Sequence, residues 1–394
     1  MKKIAVFFWV FLFLGAGISF GQTGGCGTEG SDAYAKILKQ DLQLLEQYEG
    51  QFTSQMIART LTLVDLPVQF HVVRTTAGQS PVTQEMINQA IANLNGYFQN
   101  AGLRFFECSS AKYINDSNLS NFNSSMQGIL VGKSYTAKVV NIYCVGSIDG
   151  GTIAGYTYLP GSGQPDIILM DDGVLTSATL PHEMGHFFGL LHTHGTANCA
   201  SSGVGTNELV DGSNCSFAGD LVCDTPADPG LLGAGCSQLV VDVNCNYIGS
   251  ARDANGTLFK PDVHNVMSYS RSACRDRMSP GQYARINAAF NQYRTYLKCA
   301  ASPPVSGRLS LGASLTFNPG VIRKNTTFSV TTKVKNTGSV KFAGKVKALV
   351  FNSQGVNLGV MGEAALTDSL GIGETLAQAL SFTAPFTLAE GSYK

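Results

Sequence analysis

The stretch His182-Glu183-Met184-Gly185-His186-Phe187-Phe188-Gly189-Leu190-Leu191-His192 restricts what this chain can fold into more than any other. His182 and His186 are four residues apart, so on a helix they stand one turn apart on the same face. Two imidazoles so placed can grip one metal ion, and Glu183 projects beside them as a candidate general base. Gly189 can take a positive φ and end the helix, which turns the backbone and brings His192 to the same ion from another side.

Three neutral imidazoles with an open fourth position describe a catalytic zinc site, whereas a structural site closes all four positions. The plain alternative is a helix whose histidines are fortuitous. Half of the chain's six histidines lie in this one stretch, which weighs against that alternative. The pattern is a zinc peptidase signature.

At 394 residues the chain can hold two or three domains with cores of their own. Its 27 basic and 27 acidic residues cancel, and charged residues make up only 14%, so bulk charge steers it toward neither nucleic acid nor an anionic surface. Ten cysteines suggest an oxidising compartment. The start of the chain agrees. Lys2 and Lys3 precede an apolar run from Ile4 to Leu14, and small residues follow at Gly15-Ala16-Gly17 and Ser19-Phe20-Gly21. This predicts a signal peptide over 1–21, cut before Gln22. A retained anchor is the alternative, but the run is short for one and lacks a stop-transfer flank. The expected product is exported, free of the membrane once the signal is removed, and monomeric.

Beyond the signal, Cys26 lies in a glycine-rich segment upstream of the zinc stretch. Its thiolate can serve as a removable fourth ligand that keeps the site latent; the alternatives are a disulfide or a lipid attachment. Helix-forming sequence between Ala33 and Met56 completes an expected propeptide over 22–60, with Arg59 as a plausible activation point. A catalytic domain over 61–300 then opens on a strand, Leu66 to Arg74, in which His71 reads as packed or surface-facing rather than as a ligand. A helix capped by Thr83 and stopped by Gly102 follows, then strands at Leu103–Phe106, Lys138–Cys144, Gly151–Thr157 and Asp166–Met170. Between His192 and Met267 periodicity is lost, and the cysteines there are the available staples. A closing helix spans Ser279 to Leu297. After a linker at 301–307, short alternating runs over 308–394 suggest an immunoglobulin-like sandwich that continues past Lys394. The fold class expected overall is α+β: a twisted sheet with the active-site helix, an irregular disulfide-bonded lower subdomain, then an all-β module.

His182 to His192 followed by Thr193, with Asn265-Val266-Met267-Ser268-Tyr269 downstream, resembles the metzincin metallopeptidases and, within them, the pappalysin family. Cys215, Gly219 to Ala227 and Met278 to Gln282 are similar to the same family, and Cys26-Gly27-Thr28 is similar to the propeptide latch of some members. The resemblance covers roughly Leu66 to Cys299. It implies that Met267 forms an apolar floor, the Met-turn, under the zinc histidines, and that Tyr269 helps hold the oxyanion of the tetrahedral intermediate. It also implies the disulfides Cys215–Cys245 and Cys236–Cys274, leaving the partner of Cys223 open. Structural calcium near the zinc subdomain is a further implication, with Asp220, Asp224 and Asp228 as possible oxygen donors against the plainer reading of a solvated loop. Between Met267 and Cys274 there is no acidic residue, whereas members that cut before arginine or lysine place an acid in this pocket wall.

The function expected is zinc-dependent endoproteolysis of protein or peptide substrates by a secreted zymogen. His182, His186 and His192 hold zinc and Glu183 acts as the base. Substrate is expected to add as a strand along Ile153 to Tyr158. The alternatives are a secreted adhesin whose terminal sandwich carries the main role, and an exopeptidase.

Overall fold

The computed structural model describes residues 25–26, 28, 45–54, 63–195, 208–231, 239–299 and strand segments between 309 and 383. The signal segment, Arg59, Cys199, Cys236 and the 301–307 linker lie outside the described residues. The chain divides into two compact units, one over 22–303 and another that holds the segment from Pro304 onward.

In the first unit the elements run in chain order. They begin with β1 (Gly25–Cys26), helix α1 (45–54), β2 (Val64–Arg74) and α2 (Gln84–Phe98). β3 (Leu103–Glu107), β4 (Lys112–Asn115), α3 (Ser117–Ser120), β5 (Asn121–Phe122) and α4 (Gln127–Lys133) come next. β6 (Val140–Val145), β7 (Ser147–Ile148), β8 (Ile153–Thr157) and β9 (Ile167–Asp171) lead to α5 (Thr179–Phe187). α6 (Pro280–Ala289) follows later in the unit.

The sheet has the order β3-β2-β6-β9-β8-β7-β5, with β4 also on β2 and β1 on β8. Its centre, β2, β6 and β9, is parallel, and β8 runs antiparallel to β9. A parallel centre needs cover on both faces, and the sequence supplies it. On β2 the alternate residues Leu66, Val68, Phe70 and Val72 join α2 and α5 in the larger core. Val73, with Tyr143, Val145 and Leu169, joins a second core that includes Leu130 of α4 on the opposite face. Even the polar residues of β2 are sealed in. His71 has ring contacts of 2.9 Å with both Ser134 Oγ and Asn141 Oδ1 and stacks on Tyr143, so it is packed. α2 starts where expected: the Thr83 hydroxyl accepts from Met86 N–H at 3.2 Å, and Ile87, Ala90, Leu94 and Phe98 face the core.

The stretch from Asn115 to Ser125 is more regular than its Asn/Ser content suggests, because Asp116 caps α3 by accepting from Asn118 and Leu119 N–H groups. α6 begins on a capping box between Ser279 and Gln282, but it ends earlier than predicted, at Ala289. It continues as a π-helical segment, Phe290–Arg294, whose Arg294 guanidinium lies over the Phe187 ring and donates to the Phe187 carbonyl at the end of α5.

The cysteine pairing differs from the one the family resemblance implies. Cys215 pairs with Cys223, and Cys245 with Cys274; Cys108 and Cys299 close the unit. The correction has a local cause. Between Cys215 and Cys223 the backbone reverses at Gly219 and Leu221, both at positive φ, and brings their Cα atoms to 5.1 Å. Cys245 lies against Cys274, at a Cα separation of 5.6 Å.

The second unit consists of antiparallel strands: β10 (Leu309–Leu311), β11 (Thr316–Asn318), β12 (Thr327–Asn336), β13 (Lys345–Phe351), β14 (Asn357–Ala365) and β15 (Thr375–Thr383). β12 pairs with β10, β11 and β15, and β13 pairs with β14.

Candidate metal centre

α5 is buried along its whole length, which a nine-residue helix achieves only if its polar side chains find partners inside. His182 Nδ1 donates to the Val266 carbonyl at 2.7 Å, and His186 Nδ1 donates to the Leu190 carbonyl at 2.7 Å. A carbonyl only accepts, so both Nδ1 atoms carry the proton and both Nε2 atoms carry a lone pair. Gly189, at φ 84°, makes the turn that aims Leu190 O back at His186 and returns the chain to His192. His186 Nε2 then stands 3.2 Å from His182 Nε2 and 3.0 Å from His192 Nε2. The lone pairs of His182 and His186 at such contact repel unless a cation lies between them. Protonation does not relieve this, because burial pushes all three rings below the ordinary histidine value, His186 to about 4. The donor set therefore fits zinc: three imidazoles, two of which, His182 and His186, have their outer nitrogens fixed by backbone carbonyls.

The downstream Asn265 to Tyr269 segment passes beneath the cluster. Val266 supplies the carbonyl to His182, Thr193 N–H donates to Met267 O, and the fully buried Met267 side chain packs against Gly185. A Cβ at Gly185 would overlap the Met267 sulfur and lie 3.2 Å from its Cε, so glycine is what permits this approach. Tyr269 is half-buried, its ring 4.6 Å from His192 and 4.6 Å from His194.

Glu183 lies next to the histidines with no exposure. Burial pushes its carboxyl up to about 7, against the pull of hydrogen bonds from Cys26 and Thr28 and of the Arg275 charge. Its Oε1 has no partner, while Oε2 lies 3.6 Å from Cys26 Sγ and 3.1 Å from Thr28 Oγ1. β1 delivers both residues. It pairs in parallel with β8 at Gly25↔Ile153 and Cys26↔Gly155, along the edge expected to receive substrate. The Thr28 hydroxyl bonds across to the backbone of Thr157. Cys26 Sγ and the three histidine nitrogens all lie within 4.8 Å of one another. Farther along the same segment, Leu45 of α1 packs with Leu159, Leu191, Leu221 and Ala288, and Glu49 pairs with Arg285 of α6.

A second cluster is acidic and contains a residue the sequence did not single out. Glu208, Asp220 and Asp228 are buried, and Glu208 Oε2 and Asp220 Oδ2 lack partners. Burial raises Glu208 to about 7, with Asp228 adding to it, and raises Asp220 to about 8. Thr193, next to the third zinc-site histidine, donates to Asp228 at 2.6 Å. Asp224, also a sequence candidate, is elsewhere: it accepts from Ser279 Oγ and Gly281 N–H at the start of α6. Sequence reasoning also passed over Arg275 and His194. His194 had a signal, two residues past His192, whereas Arg275 had none, since an arginine beside a cysteine is ordinarily exposed.

No family model matches the chain. It is 27% identical over 254 residues to an extracellular metalloprotease of Pyricularia oryzae, covering 60% of this chain and 79% of the relative. It is 27% identical over 301 residues to an extracellular metalloprotease of Sordaria macrospora, covering 71% and 93%. Among solved structures, one of a chaperone–substrate complex aligns at a TM-score of 0.27 and 13% identity, over 59% of this chain and 35% of that one. An archaemetzincin from Methanopyrus kandleri aligns at a TM-score of 0.22 and 14% identity, over 34% and 78%. The sequence relatives support a secreted metalloprotease, and the protein is secreted. Among the described residues no helix is long and apolar enough to cross a membrane.

Proposed function

We propose that the chain is a secreted zinc endopeptidase of the pappalysin branch of the metzincins, made as a zymogen. The observation that carries this reading is the meeting of three imidazole nitrogens beside a buried carboxyl group. Zinc held by His182, His186 and His192 would polarise a peptide carbonyl and make water acidic at neutral pH. Glu183, raised toward neutrality by burial, takes a proton from the attacking water and passes it to the leaving nitrogen. Tyr269, against the His192 ring, offers its hydroxyl to the developing oxyanion. Val266 and Leu190 hold the histidine rings in one tautomer, and Met267 fills the space under them.

The zymogen reading rests on β1. Cys26 reaches the histidine nitrogens while its strand covers β8, so one segment would both fill the fourth ligand position and occupy the substrate edge. Calcium would suit the acidic cluster, since Glu208, Asp220 and Asp228 offer only oxygen and two of those oxygens are unpartnered. The terminal strands read as an immunoglobulin-like sandwich serving as spacer or adhesion module.

The test is zinc content together with casein cleavage, with and without a chelator. About one zinc per chain, activity lost on chelation and regained with zinc, and a folded, zinc-loaded but inactive Glu183→Ala variant are expected. Full activity in that variant would sink the mechanism.

A further inference from the structure

Arg275 is a buried cation with no anion. Only 6% of its surface is exposed, and none of the ion pairs among the described residues involves it. Its Nε has no hydrogen-bond partner. Its Nη1 lies 3.4 Å from His182 Nδ1, but that nitrogen already donates to Val266 O, so the contact sets donor against donor. Unpaired buried charges are rare because burial strips their hydration with nothing in return. Zinc on the far side of the same imidazole would add positive charge and deepen the imbalance. Glu183 is within electrostatic reach of the guanidinium but is not paired with it, and its Oε2 faces Cys26 and Thr28.

The rest of the surroundings offers no substitute. Tyr97 donates to the Arg275 carbonyl, not to its side chain, and burial pushes the Tyr97 phenol above its ordinary value, which keeps it neutral. Arg271, on the same segment, adds a second cation and donates to the Val241 carbonyl. A chain that carries an arginine in this position is short of one carboxylate.

We infer that Arg275 is a specificity residue that receives a carboxylate of the substrate close to the bond being cut. This rests on the peptidase reading above. With Nη1 in contact with a zinc-site histidine, and with each substrate residue advancing by about 3.5 Å, the carboxylate belongs within one or two residues of the scissile bond. The guanidinium fork can bind it bidentately, which makes Arg275 a group for Asp or Glu rather than for a neutral side chain. The carboxylate of a free C-terminus offers the same chemistry. The acidic side chain is favoured because it also lets the substrate backbone continue along β8.

The experiment uses the full-length chain, loaded with zinc and trimmed of its amino-terminal segment by limited proteolysis. Cleavage sites are mapped in a peptide library with free and with amidated C-termini. In parallel, the Glu183→Ala chain is titrated calorimetrically with amidated tetrapeptides that differ only in Asp, Asn or Leu at one position. Cuts beside Asp or Glu in amidated peptides, and binding of the Asp peptide at least about tenfold tighter than the Asn peptide, are expected. Arg275→Gln should abolish both preferences, while Arg275→Lys, which keeps the charge, should retain part of them. Preference for free C-termini alone would assign the carboxylate to the chain end and overturn the side-chain specificity. Cleavage with no carboxylate preference would overturn the inference and leave the peptidase reading intact. Arg275-dependent binding of the acidic peptide without any cleavage would support the carboxylate site and overturn the peptidase reading. Neither cleavage nor acid-selective binding would overturn both.

Discussion

One substitution, made at two glycines, separates a helix-propensity effect from the packing that supports the metal centre. Gly96 sits exposed near the end of α2, and a Cβ added there meets nothing within 4 Å. Gly96→Ala should stabilise the protein by about 0.5–1 kcal/mol, the usual gain from reducing backbone freedom inside a helix. Gly185 lies in α5, where alanine would earn the same propensity gain. There, however, the new Cβ overlaps the Met267 sulfur, which must retreat on the order of 1 Å to reach ordinary contact. Met267 is fully buried, and its neighbours Val266 and Thr193 are tied to His182 and to the Met267 carbonyl, so the retreat has nowhere easy to go. Overpacking of this kind costs about 1–3 kcal/mol. Set against the propensity gain, Gly185→Ala should end about 1–2 kcal/mol less stable than the parent.

Thermal unfolding of the zinc-free proteins reads the contrast. At about 2–4 °C per kcal/mol for a unit of this size, Gly96→Ala should melt higher and Gly185→Ala lower, by about 2–8 °C in the second case. Zinc affinity is the second readout. A displaced Met267 moves the Val266 carbonyl that orients His182, so Gly185→Ala should bind zinc about 10- to 100-fold more weakly, and Gly96→Ala should bind it normally. If Gly185→Ala melts as high as Gly96→Ala and holds zinc as tightly, the close approach of Met267 beneath the histidines is wrong.

Removing the proposed latch with Cys26→Ala should raise the activity of the untrimmed chain at least about tenfold, as measured by peptide cleavage before any processing; equal activity means that Cys26 holds nothing. Tyr269→Phe should lower kcat about 10- to 100-fold with KM and zinc content unchanged, and a change confined to KM would remove Tyr269 from oxyanion binding. The acidic cluster predicts a pH effect. Burial raises Asp220 to about 8 and Glu208 to about 7, so in calcium-free buffer the native chain keeps protons that the unfolded chain, titrating near 4, has released. Its stability should therefore fall as pH rises from about 4 to about 8 and level off above. Asp220→Asn should flatten that fall, and calcium should restore stability at pH 8 in the parent but not in the variant.

How much of this was legible in the sequence follows from which interactions are local. The helix with His182, Glu183 and His186, the Gly189 turn and the return of His192 are set within eleven consecutive residues, so spacing alone predicts their convergence. The same holds for the Thr83 cap and the Ser279 capping box, each made by residues three apart. What spacing cannot carry is pairing over distance. The Cys215–Cys223 disulfide depends on a backbone reversal at Gly219 and Leu221, and Leu221, a branched side chain at positive φ, gives no sequence warning of it. Glu208 and Asp220 are twelve residues apart in a stretch without periodicity, and only the fold brings them together.

Arg275 marks the limit of sequence reading most sharply. The pocket wall between Met267 and Cys274 can be searched for an acid from sequence, and its absence noted, but a missing acid says nothing about what replaces it. The replacement lies one residue past that wall, and it turns inward because the Cys245–Cys274 disulfide fixes the backbone at its neighbour while its own carbonyl is held by Tyr97 from α2. The far end of each restraint, Cys245 and Tyr97, is remote from Arg275 in the chain. The charge beside the zinc histidines is thus decided by two distant elements, a loop cysteine and a helix tyrosine. For the same reason, the carboxylate preference should follow the orientation of Arg275 and not merely its presence. Tyr97→Phe removes the hydrogen bond while leaving the arginine in the sequence. If that variant keeps the full preference for acidic peptides, the Cys245–Cys274 bridge alone suffices to turn Arg275 inward.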